Sequence, residues 1–255
     1  MKRLIKIAAS VIVLLVVVVG GLFAVTFMGR RAMADGREFG SARLVVDGFG
    51  AVGVVPTGER QVLLVDAGED AEGKAILAEL TRRGLSADAV VAILITHGHQ
   101  DHTGALRLFP KAQILALDAE VPVVEGREGT HGPLTRLMGA GPTGASVARP
   151  LHDGEAFTLG TATVRVFATP GHTAGSAAYL VNDVLFIGDS GDVTSDGAIQ
   201  GAPWIFSDNQ AQNRESLVRL ARRLEADKAA VAVIVPAHSG PVDGLAPLVA
   251  FAQAQ

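Results

Sequence analysis

The segment Thr96-His97-Gly98-His99-Gln100-Asp101-His102-Thr103-Gly104 packs three imidazoles and a carboxylate into six positions, straight after the apolar run Val90–Ile95. A run of that length and composition reads as a buried strand, so the polar cluster begins at the edge of the core. Desolvating so many polar groups is costly unless something compensates. Neutral imidazole and carboxylate suit borderline divalent metals such as zinc, whose binding energy supplies that compensation. In an extended loop His97 and His99 point the same way by the two-residue period, while Asp101 and His102 take a second set of directions. One short segment can thus serve two adjacent metals. The spacing is not H-E-x-x-H, because Gly98 and Gly104 interrupt it and the glutamate base is missing.

Three later positions fit the same centre. The apolar run 164–168 empties into Thr169-Pro170-Gly171-His172-Thr173-Ala174-Gly175-Ser176, the run Val184–Gly188 ends at Asp189, and the run 231–235 leads to Pro236-Ala237-His238-Ser239-Gly240. Taken singly, His172 and His238 read as structural or surface histidines and Asp189 as a turn or cap. Their shared place just past a strand end, where sheet enzymes gather their chemistry, makes all three candidates for the centre.

With these pieces and Asp66-Ala67-Gly68 in order along residues 44–242, the chain resembles the metallo-beta-lactamase superfamily of metallohydrolases. The resemblance implies a four-layer αββα sandwich. It also implies that His97, His99 and His172 hold one metal, that Asp101, His102 and His238 hold the other, and that Asp189 bridges them. Asp66 takes the place of an aspartate that orders the metal loop without binding metal.

The residues agree with that chemistry. Two cations sharing a carboxylate and a water would lower the water's pKa and polarise a substrate carbonyl. Zinc is the expected pair of ions, with iron or manganese as alternatives for a nitrogen and oxygen donor set. Asp101 is the candidate catalytic residue, orienting the nucleophile or relaying a proton. Thr173 and Ser176 read as caps of a glycine-bearing turn or as outer partners of the ligands.

Residues 7–29 form an uncharged stretch of 23, flanked by Lys2, Arg3 and Lys6 and by Arg30 and Arg31. That length suits a membrane span and exceeds a signal-peptide core, so residues 1–31 read as an uncleaved anchor and 32–43 as a linker. Ala32-Met33-Ala34 resembles a cleavage site, and cutting there would release a secreted form. Three basic residues before the span and four between Arg30 and Arg43 leave orientation open by charge, and an extracytoplasmic catalytic domain is the simplest arrangement. The absence of cysteine suits either redox compartment.

Residues 44–255 are enough for one catalytic domain. Five of the 22 basic residues lie at or before Arg31, leaving 17 against 26 acids and a formal charge of about −9. With no basic patch carrying interleaved aromatics, a nucleic-acid partner is not expected. Strands are expected at 44–46, 51–56, 61–65, 114–116 and 157–159, and helices at 72–83, ended by Gly84, and at 209–228. The glycine- and proline-bearing segment 125–146 reads as a loop or lid around a short helix at 134–138. Within it His131 reads as a surface residue, as does His152 near the turn Asp153-Gly154. Trp204 and Phe206 stand together in a chain of 12 aromatics and suggest a substrate-pocket wall or a lid, with core packing and membrane-surface contact as alternatives.

The expected function is a binuclear hydrolase of a small ester, lactone or thioester. A bridging Asp189 and the lack of cysteine disfavour antibiotic hydrolysis, and only 17 residues follow His238, too few for the glutathione-binding extension of glyoxalase II. Lactonases of the superfamily share the seven ligands. The alternatives are a glyoxalase-like thioesterase, a mononuclear iron persulfide dioxygenase, and a metal-containing sensor or binding module without turnover. Oligomeric state is not legible.

Overall fold

The structure, a computed structural model, describes residues 2–40, 42–137, 139–141 and 143–255. It divides into two compact units, Met1–Arg30 and Arg31–Gln255. The first is the helix α1, Lys2–Phe27. Its window Ser10–Phe27 has a mean hydropathy of 2.8, and Val13, Val16 and Val19 are all exposed. A helix without a polar stripe has no face suited to water. This one is long and apolar enough to cross a membrane, a test that a signal sequence also passes.

The second unit is a mixed α/β sandwich. Strands β1 (Glu38–Phe39), β2 (Ala42–Asp47), β3 (Gly50–Gly58), β4 (Gln61–Val65), β5 (Val90–Ile95), β6 (Gln113–Leu117) and β7 (Arg149–Leu151) form one sheet in chain order. Its first four strands pair antiparallel and β4 to β7 pair parallel. The strands β8 (Ala156–Leu159), β9 (Ala162–Ala168), β10 (Ala177–Val181) and β11 (Val184–Gly188) lie in a second sheet. Beyond β11, after the hairpin β12 (Gly191–Val193) and β13 (Ile199–Gly201), come β14 (Val233–Pro236), parallel to β11, and β15 (Val242–Asp243). The helices of this unit are α2 (Lys74–Arg82), α3 (Gln100–Thr103), α4 (Val121–Val124), α5 (Gln210–Ala226) and α6 (Ala246–Gln253).

The layers follow from alternation along the strands. Leu63 and Val65 of β4 join Val164, Val166, Tyr179 and Phe186 in a core between the sheets, while Val62 and Leu64 pack with Ile76 and Leu80 of α2. Phe167, Leu180 and Leu185 turn outward onto Leu217, Leu220 and Leu224 of α5. A strand buried on both faces reads as a continuous apolar run, as β5 and β11 do. At one rim the sheets are tied together: Ala177 N donates to Thr96 O at 2.8 Å and Tyr179 Oη to Ile95 O at 2.8 Å.

Some expected boundaries move for local reasons. Helix α2 starts two residues later than 72, because Gly73 is left-handed at φ 56° and Asp70 takes the N–H groups of Glu72 and Lys74. Asn209 precedes α5 as its cap, accepting from Gln212 N at 3.0 Å. The strand expected from 231 starts at Val233. Residues 32–43, read as linker, include β1 and the start of β2. In the segment 125–146 a single 3-10 turn, Thr135–Leu137, occurs among the described residues; Met138, the end of the expected helix, lies outside them.

Candidate metal centre

Asp66 follows β4 and adopts φ 63°, a left-handed conformation that costs a residue with a side chain about 1–2 kcal/mol. There its Oδ1 accepts from Thr96 N at 2.8 Å and its Oδ2 from Thr96 Oγ1 at 2.8 Å, and Oδ2 faces His102 Nδ1 at 2.8 Å. A buried carboxylate on Nδ1 selects the His102 tautomer that donates there and turns the Nε2 lone pair inward. Beyond His99 the chain is not an extended loop: His102 N and Thr103 Oγ1 both donate to His99 O, at 3.0 and 3.1 Å, closing the turn α3. The loop's side chains are thereby divided, with His97 and His99 in one cluster and Asp101 and His102 in another.

The other three candidates leave the ends of β9, β11 and β14 and meet the loop. In the first cluster His97 Nε2, His99 Nδ1 and His172 Nε2 form a triangle with edges of 2.9, 3.1 and 3.2 Å, and Asp189 Oδ2 lies 3.5 Å from His172 Nε2. In the second, His238 Nε2 is 3.1 Å from Asp101 Oδ2, and His102 Nε2 is 3.8 Å from it. Asp189 reaches this cluster too, with Oδ2 3.1 Å from His238 Nε2 and Oδ1 3.3 Å from His102 Nε2.

Four donors at ~2.0 Å around a tetrahedral ion stand about 3.3 Å apart, so these edges fit a bound metal. Three imidazole nitrogens facing one another cannot all be satisfied by mutual hydrogen bonds. His102 Nε2 and Asp189 Oδ1 are buried without a hydrogen-bond partner although they face each other. Orphaned acceptors converging in this way call for cations. The two clusters make a binuclear divalent metal site.

Burial pushes His97 well below the ordinary histidine range and His172 down to about 3, favouring the neutral form that binds metal. Burial also pulls on His102 and His238, but there the nearby carboxylates, Asp66 and Asp189 foremost, raise them well above that range, so in these two a metal would take the place of the proton on Nε2. Asp101 sits at about 2, since His102 and His238 outweigh its own burial.

Partners on the far side of the ligands come from residues that the sequence reading missed. Thr130 Oγ1 meets His99 Nε2 at 3.1 Å, Ser207 Oγ meets His172 Nδ1 at 3.1 Å, and Phe49 O meets His238 Nδ1 at 2.7 Å. Glu120, fully buried after β6, accepts from Gly98 N, Gly175 N and Thr173 Oγ1. Burial drives its carboxyl up to about 7 against the pull of those three donors. Its only signal was an acid just past a strand end, which Asp118 shares. Thr173 and Ser176 are buried and bonded to each other at 2.8 Å. Trp204 is half exposed and Phe206 partly buried, one to three residues before Ser207. His131 and His152 are exposed.

Comparison with known proteins gives the same picture. A hydroxyacylglutathione hydrolase of Shewanella sp. (strain ANA-3) is 34% identical over 134 residues, which are 52% of this chain and 44% of that protein. Another, from Halorhodospira halophila, is 38% identical over 133 residues, 52% of this chain and 42% of its own length. The chain thus spans less than half the length of either relative. The crystal structure of a metallo-beta-lactamase from Novosphingobium pentaromativorans superposes with a TM-score of 0.65 over 89% of this chain and 88% of that one, at 24% identity, a likeness of fold. The sequence profile of the metallo-beta-lactamase superfamily matches residues 45–238, about three quarters of the chain, and the chain belongs to that superfamily.

Proposed function

We propose that the chain is a binuclear metal-dependent hydrolase that cleaves a small ester, lactone or thioester. The observation that carries this reading is the sharing of Asp189 between two clusters of ligand atoms. In it, His97, His99 and His172 hold one ion, Asp101, His102 and His238 the other, and Asp189 lies between them. When bound, such ions activate a water for attack and polarise the substrate's carbonyl oxygen. Five imidazoles and two carboxylates favour zinc.

The chain's own part is orientation and proton handling. Asp66 holds His102 in one tautomer, and Phe49 O does the same for His238. Asp101, with 31% of its side chain exposed, is the candidate to orient the attacking water or relay its proton. Trp204 and Phe206, close in sequence to the Ser207 that touches His172, are candidates to hold the apolar part of the substrate. Residues 44–255 serve as the catalytic domain. The N-terminal helix serves as a membrane anchor, with the catalytic domain outside the cytoplasm.

The test is metal content and hydrolysis on one preparation of the full chain, purified in detergent without chelator and offered lactones, thioesters, phosphoesters and a beta-lactam. About two equivalents of zinc with ester, lactone or thioester turnover is the expected result. One equivalent of iron, with oxygen consumed on a persulfide and no hydrolysis, would overturn it. So would two equivalents with no turnover of any substrate, the behaviour of a binding module.

A further inference from the structure

We infer that Glu120 is the positioning residue of the first cluster, tying together the two loops that carry His97, His99 and His172. The inference rests on the binuclear reading above. The three imidazoles come from loops that follow strands of different sheets, β5 and β9, and two edges of their nitrogen triangle, 3.2 and 3.1 Å, cross from one loop to the other. Something must hold that gap. Glu120 Oε1 accepts from Gly98 N at 2.8 Å, between His97 and His99; its Oε2 accepts from Gly175 N at 2.9 Å and from Thr173 Oγ1 at 2.9 Å, beside His172.

The close approach is built into both loops. A Cβ at position 98 would strike Val123 and the backbone of Val124, and one at position 175 would strike the backbone of Glu120 itself. Glycine is required at both places for the carboxylate to reach. Among the described residues Glu120 makes no ion pair, so its charge is met only by these donors. The second cluster does not depend on it, because Asp101 and His102 share one turn, Asp66 braces His102, and Phe49 O holds His238.

Glu120→Gln keeps the volume but turns an amide NH2 toward at least one donor whichever way it flips. The test measures the affinity of both sites by competition with a chromophoric chelator, and takes the visible spectrum of the cobalt-loaded protein. One of the two ions is expected to bind roughly 10–100-fold more weakly, the range for lost outer partners. The cobalt bands of the three-histidine site should change and those of the other remain. Thr173→Val, which removes one bond of three, should give a smaller loss at the same site. Two unchanged affinities and an unchanged spectrum in folded Glu120→Gln would overturn the inference, as would an equal loss at both sites. If Glu120→Gln does not fold, Thr173→Val decides it, with no change at the three-histidine site overturning the inference. A wild-type protein that never binds two ions fails before any variant is made, and removes the binuclear reading and this inference together.

Discussion

The two halves of the centre are built differently. His97 and His172 are fully buried, and the outer partners of the first cluster are the neutral hydroxyls of Thr96, Thr130 and Ser207, with Glu120 bracing the loops behind. The second cluster is more open, with 31% of the Asp101 side chain and 11% of His238 exposed. Its strongest outer partner is a charged one, the Asp66 carboxylate on His102. A charge-assisted bond is about twice as strong as a neutral one. The deep half is thus held by burial and loop packing, and the open half by one strong buried bond behind its exposed ligands. The difference teaches where the centre meets solvent: at Asp101 and His238 in the second cluster and, in the first, at the partly exposed His99.

If Asp189 joins the halves, its loss should remove the contrast altogether. Asp189→Asn removes the one charge shared by both clusters and is expected to drop metal content below one equivalent and hydrolysis by roughly 10³-fold or more. Metal analysis alongside turnover checks this, and a protein that keeps one tightly bound ion would assign Asp189 to one cluster only. Asp66→Asn should instead sharpen the contrast. The amide cannot accept at once from Thr96 N, Thr96 Oγ1 and His102 Nδ1, so the second ion should bind roughly 10–100-fold more weakly, and the first, reached only through Thr96 Oγ1 at His97, should lose much less. A chelator titration resolves the two steps, and equal weakening of both would show that Asp66 supports the whole loop.

The same contrast explains what was legible in the sequence. The four ligand candidates of the β5 loop stand within six positions, and that density announces itself. His172, Asp189 and His238 are isolated residues that became readable only because each follows an apolar run, and the rim where those runs end is where the sheets bring them together. Strands such as β5 and β11 were readable because burial on both faces leaves uninterrupted apolar runs, whereas β10, buried throughout, was not singled out. Glu120, Thr130 and Ser207 were not legible. Each acts through side-chain contacts reaching 22 to 55 positions along the chain, and a lone acid or hydroxyl beside a turn has no pattern of its own. Helix starts shifted for the same kind of reason, since the left-handed Gly73 and the cap Asn209 act one residue at a time.

The smallest expected effect tests the neutral side of the comparison. Ser207 has one hydroxyl proton and gives it to Pro203 O at 2.7 Å, so toward His172 Nδ1, 3.1 Å away, it offers a lone pair. His172 must then carry its proton on Nδ1 and present Nε2 to the first cluster. Ser207→Ala removes that preference without touching a ligand. A neutral hydrogen bond contributes about 1 kcal/mol, which corresponds to about fivefold in affinity. The first ion should therefore bind about fivefold more weakly, and the second should not change. Measured in the same chelator competition, this loss should stay below that of Asp66→Asn. A loss as large would mean that the deep half relies on its hydroxyl partners as much as the open half relies on a carboxylate, and that burial alone does not fix the imidazoles.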